Sequence, residues 1–132
     1  MENKKPDNIK LNERDKFHEK LMESILKNLS DTPLVLKGGS ALYLGYGLNR
    51  FSEDLDFDSL KKLNLLNKIK SSALPDIAID DIQIKKDTDT VSRYIVHYHI
   101  QGTNIKDFLK LEVSYRTPVN DEEVVIKDGI RL

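Results

Sequence analysis

With 132 residues, the chain is long enough for one domain with one core and too short for two. Charged residues make up 33% of it and nearly cancel to a net charge of −1, which excludes a globally basic nucleic-acid binder but leaves room for a local basic patch. There is no cysteine, hence no disulfide framework or thiolate metal site, and no apolar run approaches the ~20 residues of a membrane span. The polar N-terminus is not a signal peptide, so the expectation is a soluble, cytoplasmic protein with no membrane partner.

Met1–Lys10 is polar and reads as loose. Asn12–Leu29 places Phe17, Leu21, Ile25 and Leu29 at four-residue steps with Met22 and Leu26 beside them, the pattern of an amphipathic helix. Thr32-Pro33 ends that unit. Leu34–Lys37 reads as a short buried strand, Ser40–Gly47 as an apolar helix and Asp54–Asp58 as a second strand. A helix is predicted over Leu60–Ser71, stopping before Pro75. Ile82–Lys86 and Val91–Gln101 form a predicted hairpin around Asp87-Thr88-Asp89-Thr90, followed by a strand at Asp107–Tyr115 and a short one at Val124–Ile126. No internal repeat is present. Strand–helix units followed by antiparallel strands predict one α+β domain with a mixed β-sheet.

Chemistry concentrates in two places. In Asp54-Leu55-Asp56-Phe57-Asp58, alternation turns the three aspartates to one face while Leu55 and Phe57 anchor the strand in the core. Carboxylates two apart sit roughly 6–7 Å from each other, a spacing that reaches around metal ions about 3.5–4 Å apart. The bland alternative is an edge strand whose acidic face is simply solvated. Upstream, Gly38 and Gly39 let the backbone approach a ligand closely, and Ser40 can cap the following helix or touch a phosphate oxygen. Free amides at a helix start favour an anion. This is no Walker A loop, because the Gly-Lys-Ser/Thr ending is absent.

The run KGGSALYLGYGLNRFSEDLDF, Lys37 to Phe57, resembles the signature of the AbiEii/AbiGii toxin-type nucleotidyltransferases, within the DNA polymerase β-like superfamily. That resemblance implies a nucleotidyltransferase-like domain with helices mainly on one face of the sheet. It implies that Gly39 and Ser40, beside Gly38, hold the triphosphate, and that Asp54 and Asp56 bind Mg²⁺, with Mn²⁺ as a substitute. Arg50 and Ser52 also match the family pattern and join the nucleotide-binding set. On the later strand, Lys110, Glu112 and Ser114 share a face. If this strand neighbours the aspartate strand, Glu112 falls beside Asp54 and Asp56, and Lys110 sits over the phosphates. By resemblance Glu112 is the third carboxylate, a metal ligand and general base. A routine Lys–Glu surface face is the structural alternative.

The resemblance implies transfer of a nucleoside monophosphate from a nucleoside triphosphate to an acceptor hydroxyl on RNA (such as tRNA) or protein. It also implies a toxin with an antitoxin protein as partner. The rival reading is a nucleotide- or partner-binding module without turnover. Relatives usually continue into a helical C-terminal region, whereas this chain stops at Leu132. Weaker patterns fall away: Asp56-Phe57-Asp58-Ser59-Leu60 lacks the Gly-Thr of haloacid-dehalogenase phosphatases, and Asp54-x-Asp56-x-Asp58 lacks the glycine and glutamate of an EF-hand. His97 and His99 share a strand face with Arg93 but have no third zinc ligand at suitable spacing, so a solvated face or cleft wall is expected. Tyr43 and Tyr46 could stack on a base or pack in the core.

Overall fold

The amphipathic stretch near the N-terminus forms helix α1 (Glu13–Asn28), which buries Leu21, Met22, Ile25 and Leu26 along one stripe. Glu13 and Asp15 in its first turn and Lys27 in its last complement the helix dipole. The computed structural model describes residues 13–37, 53–116, 126–127 and 130–131. The expected helix at Ser40–Gly47 and the loose segment Met1–Lys10 lie outside the described residues, as do Tyr43 and Tyr46.

After α1 come strand β1 (Val35–Lys37), strand β2 (Asp54–Ser59) and the short helix α2 (Leu66–Lys70). Strands β3 (Ile77–Asp87), β4 (Val91–Ile100) and β5 (Lys106–Tyr115) form an antiparallel meander, and β6 (Ile126–Lys127) pairs with β7 (Ile130–Arg131). Together the described strands make one sheet in the order β3-β4-β5-β2-β1-β7-β6. It is mixed: β2 runs parallel to β5 and antiparallel to β1, and β7 runs parallel to β1. An α+β domain with a mixed sheet is what the alternation and helix periods predict.

One buried cluster joins Leu21, Ile25 and Leu29 to Ile69, Leu55, Phe57, Val96, Tyr98, Leu109, Leu111 and Val113. Both described helices therefore cover the same face of the sheet. The opposite face carries the alternate residues of β2, β4 and β5, including Asp54, Asp56, Arg93, Lys110 and Glu112.

The predicted helix at Leu60–Ser71 is a correction. Only Leu66–Lys70 is helical, and Leu60 stands 72% exposed. Ser59 Oγ accepts from the Lys61 amide and donates to the Lys61 carbonyl, the Asn64 side chain accepts from the Leu66 amide, and the Tyr94 hydroxyl takes the Leu65 amide. These bonds replace the first turns of a helix with an irregular crossing that still packs Leu63 and Leu65 against the core. Strand β3 is longer than Ile82–Lys86, because Ile77 and Ile79 pair ahead of a register shift between Ile79 and Asp81. A second shift follows Ile84. Of the expected last strand at Val124–Ile126, Ile126 lies in β6 (Ile126–Lys127), and 124–125 lie outside the described residues.

Candidate active site

Strand pairing puts two of the candidate carboxylates in one row and the third two residues along the same strand face. Asp56 is the cross-strand partner of Glu112, and Asp54 that of Lys110. On the far side of β2 the partner of Asp56 is Lys37, and on the far side of β5 the partner of Glu112 is Arg93. A band of charge, Lys37–Asp56–Glu112–Arg93, with two adjacent acids flanked by a base on either side, thus crosses four strands on the open face of the sheet. Leu55 and Phe57, fully buried, fix the β2 backbone beneath it.

Each acid has a defined setting. Asp54 is 45% exposed, with its Oδ2 3.6 Å from Lys110 Nζ. Glu112 Oε1 accepts from Arg93 Nε at 2.7 Å. Burial pushes the Asp56 carboxyl above the usual carboxylate range; the charges of Asp54 and Glu112 push the same way, against Lys110 and Lys37. Negative charge is therefore in local excess at Asp56. Such a donor set, all hard oxygens on neighbouring backbones, suits a small divalent cation. Among the described residues no three carboxylate or imidazole groups converge on one point. Glu112 is turned to Arg93 through Oε1, so Asp54 and Asp56 are the pair whose shared strand face fits an ion, and Glu112 could join them through its second oxygen or by releasing the guanidinium.

Asp58 behaves differently from the other two aspartates of β2. It lies 3% exposed, with Lys37 Nζ 2.7 Å and Arg116 Nε 3.0 Å from its Oδ1. Lys37 also donates to Ser114 Oγ at 3.4 Å. Two cations already neutralise Asp58, which makes it a strut at the end of β2.

Gly38, Gly39, Ser40, Arg50 and Ser52 lie outside the described residues. His97 donates to the Gln83 side chain at 2.8 Å and stacks at an angle against Phe108, and His99 pairs with Asp80 at 2.8 Å. They share the open face with Arg93 and are partly exposed there. Residues that sequence reasoning did not assign to the site are Arg93 and Lys37. Their only signal is register, since each enters as a cross-strand neighbour of an acid.

The sequence profile of the family described as "Nucleotidyl transferase AbiEii toxin, Type IV TA system" matches residues 20–128. The chain belongs to this family. Its AbiEii fold is similar to that of two solved crystal structures. One is JHP933 from Helicobacter pylori, 56% identical with a TM-score of 0.85, the match covering 92% of this chain and 53% of that one. The other is an H. pylori protein described provisionally as a nucleotidyltransferase, 56% identical with a TM-score of 0.84, covering 92% and 54%. This AbiEii chain thus spans about half the length of the solved structures it matches. No curated protein matches it.

Proposed function

We propose that this AbiEii-family chain carries the nucleotidyl-transferring core of a type IV toxin, moving a nucleoside monophosphate from a nucleoside triphosphate to an acceptor hydroxyl. The observation that carries the reading is the register of β2 against β5, which makes Asp56 and Glu112 direct neighbours with Asp54 on the same face. Asp54 and Asp56 would hold Mg²⁺ or Mn²⁺. Bound there, the cation supplies charge neutralisation at the transferring phosphate.

The chain's own groups do the rest. Gly38, Gly39 and Ser40, with Arg50 and Ser52, would bind the triphosphate, and Lys110 would pass from Asp54 to a phosphate oxygen. Glu112, released from Arg93, would accept the proton of the attacking hydroxyl. The new ester bond forms at the α-phosphorus, the bond to the bridging oxygen breaks, and pyrophosphate leaves with that electron pair. This is catalysis by positioning and electrostatics, with no covalent step on the protein. RNA, such as tRNA, or a protein would supply the hydroxyl, and an antitoxin protein would restrain the activity. No described helix is long and apolar enough to cross a membrane.

The Glu112–Arg93 pairing also fits a second reading, a nucleotide-binding module that never frees its third carboxylate. One experiment separates them: triphosphate binding and labelled-nucleotide transfer, measured on wild type and Glu112→Gln with the same RNA and protein acceptor pools. Loss of a general base costs about 10²–10⁴-fold in rate. We expect Glu112→Gln to bind within about tenfold of wild type and to transfer at least about a hundredfold more slowly. Equal transfer by both proteins removes Glu112 from the chemistry. Binding without transfer by the wild type selects the module.

A further inference from the structure

A histidine stands where the apolar stripe of α1 calls for a hydrophobic residue. His18 is 3% exposed, one turn before Met22 and beside Leu21. Both ring nitrogens are engaged: Nε2 lies 2.9 Å from the Glu53 carbonyl oxygen and Nδ1 lies 2.6 Å from the Tyr98 hydroxyl. A carbonyl oxygen can only accept, so Nε2 carries the proton. In the neutral imidazole Nδ1 is then bare, and the Tyr98 hydroxyl donates to its lone pair. Burial holds that hydroxyl well above the usual tyrosine range, so it remains a donor. The result is a one-way chain of bonds from β4 through α1 to the backbone at the entrance of β2.

What it grips is the peptide linking Glu53 to Asp54. Because a peptide is planar, fixing the Glu53 carbonyl fixes the Asp54 nitrogen and Cα, and the pairing of Asp54 with Lys110 holds the next torsion, so that together they set the direction in which the Asp54 side chain leaves the backbone. No other described side chain donates to that carbonyl, and Asp54 is the first residue of β2. A buried polar pair is replaceable by apolar side chains with little loss of stability. Stability alone therefore does not call for imidazole at this point.

We propose that His18 is a positioning residue for the nucleotidyl-transfer site: held as its Nε2–H tautomer by Tyr98, it locks the Glu53–Asp54 peptide and so aims the Asp54 carboxylate. This rests on the reading of Asp54 as a cation ligand given above. His18 touches neither nucleotide nor cation, and acts through the backbone.

The test uses the full chain as wild type, Tyr98→Phe, His18→Leu, His18→Gln and Asp54→Asn. Mn²⁺ alone is titrated by electron paramagnetic resonance, the imidazole and backbone nitrogens are followed by ¹⁵N NMR, and melting is recorded for each. In wild type the NMR should show Nε2 protonated and Nδ1 bare. Tyr98→Phe and His18→Leu should move the Asp54 amide resonance and weaken Mn²⁺ about tenfold, the lower end of what losing an outer-shell partner costs. His18→Gln, which keeps an N–H at similar reach, should recover most of that affinity, and this rescue is what a merely structural histidine would not give. Tyr98→Phe removes one oxygen atom and keeps the test readable if His18→Leu does not fold. An Nδ1–H tautomer overturns the proposal, as does a lower melting point with unchanged Mn²⁺ affinity and Asp54 resonance. If Asp54→Asn titrates like wild type, the cation site itself is wrong and both readings fall; if only the His18 and Tyr98 variants do so, the tether alone falls.

Discussion

Asp58→Asn should destabilise the protein far more than the same change at Asp54, although both residues lie on one face of β2. Asp58 is buried and takes two cations on one oxygen, Lys37 at 2.7 Å and Arg116 at 3.0 Å. Asparagine keeps the shape and can still accept one hydrogen bond, but leaves Lys37 without its counter-charge. Breaking a fully buried pair costs about 3–5 kcal/mol. Lys37 and Arg116 are 31% and 55% exposed, so water recovers part of that loss, and about 2–3 kcal/mol is the working figure. With an unfolding entropy of roughly 2.1 cal/mol/K per residue, the melting point should fall by about 7–11 °C. Asp54→Asn, at a half-exposed site, should stay within about 0.5 kcal/mol of wild type. Calorimetric melts without divalent cations read both. A cycle with Lys37→Met should show the Lys37 and Asp58 changes to be less than additive. Equal melting points for Asp58→Asn and wild type, or equal losses at Asp54 and Asp58, would refute the division of β2 into a strut and a site.

Three further outcomes are expected. Since the folded Asp56 carboxyl sits above its unfolded value, the folded state binds more protons in the window just above the ordinary carboxylate range. Asp56 therefore contributes a loss of stability as pH rises through that window, and Asp56→Asn should remove that slope from cation-free melts. It should also remove any gain in stability from Mg²⁺, and a pH slope identical to wild type counts against the burial and repulsion at Asp56. Arg93→Ala should change stability by no more than about 1 kcal/mol, as expected of a partly exposed ion pair. The same variant should tighten Mn²⁺ by freeing Glu112, and weaker Mn²⁺ binding would show that Arg93 does not compete for that carboxylate. Leu111→Ala, in the fully buried layer under Glu112, should cost about 2–5 kcal/mol by denaturant titration, and a loss under 1 kcal/mol would mean the core collapses around it.

Strands β2 and β5 were legible because both keep strict alternation over a core, with Leu55 and Phe57 in one and Leu109, Leu111 and Val113 in the other. Their adjacency entered only as a condition, since alternation fixes which face a residue occupies and carries no information about which strand lies alongside. The same gap hid Arg93 and Lys37, which reach the acids through register alone. His18 was unreadable for another reason: its partners are a carbonyl and a hydroxyl far away in sequence, and a single polar residue barely disturbs a helical period. Leu60–Leu65 misled by having apolar residues at helical spacing while local side-chain bonds held the backbone elsewhere. Asp58 shares a spacing with Asp54 and Asp56, and what sets it apart is its burial between Lys37 on the neighbouring strand and Arg116, 58 residues further on.

The placement of β2 between β1 and β5 has a consequence for how the protein comes into being. The β3–β4–β5 meander closes through short turns and belongs to the fast, local part of folding. Joining β2 to β5 requires a much longer loop to close, a step that is intrinsically slow. Asp54 and Asp56 lie on one side of that seam and Glu112 on the other. A ribosome-bound chain that has released β2 but not yet β5 has two of the acids without the third. Within this chain the three acids become neighbours only when the seam shuts.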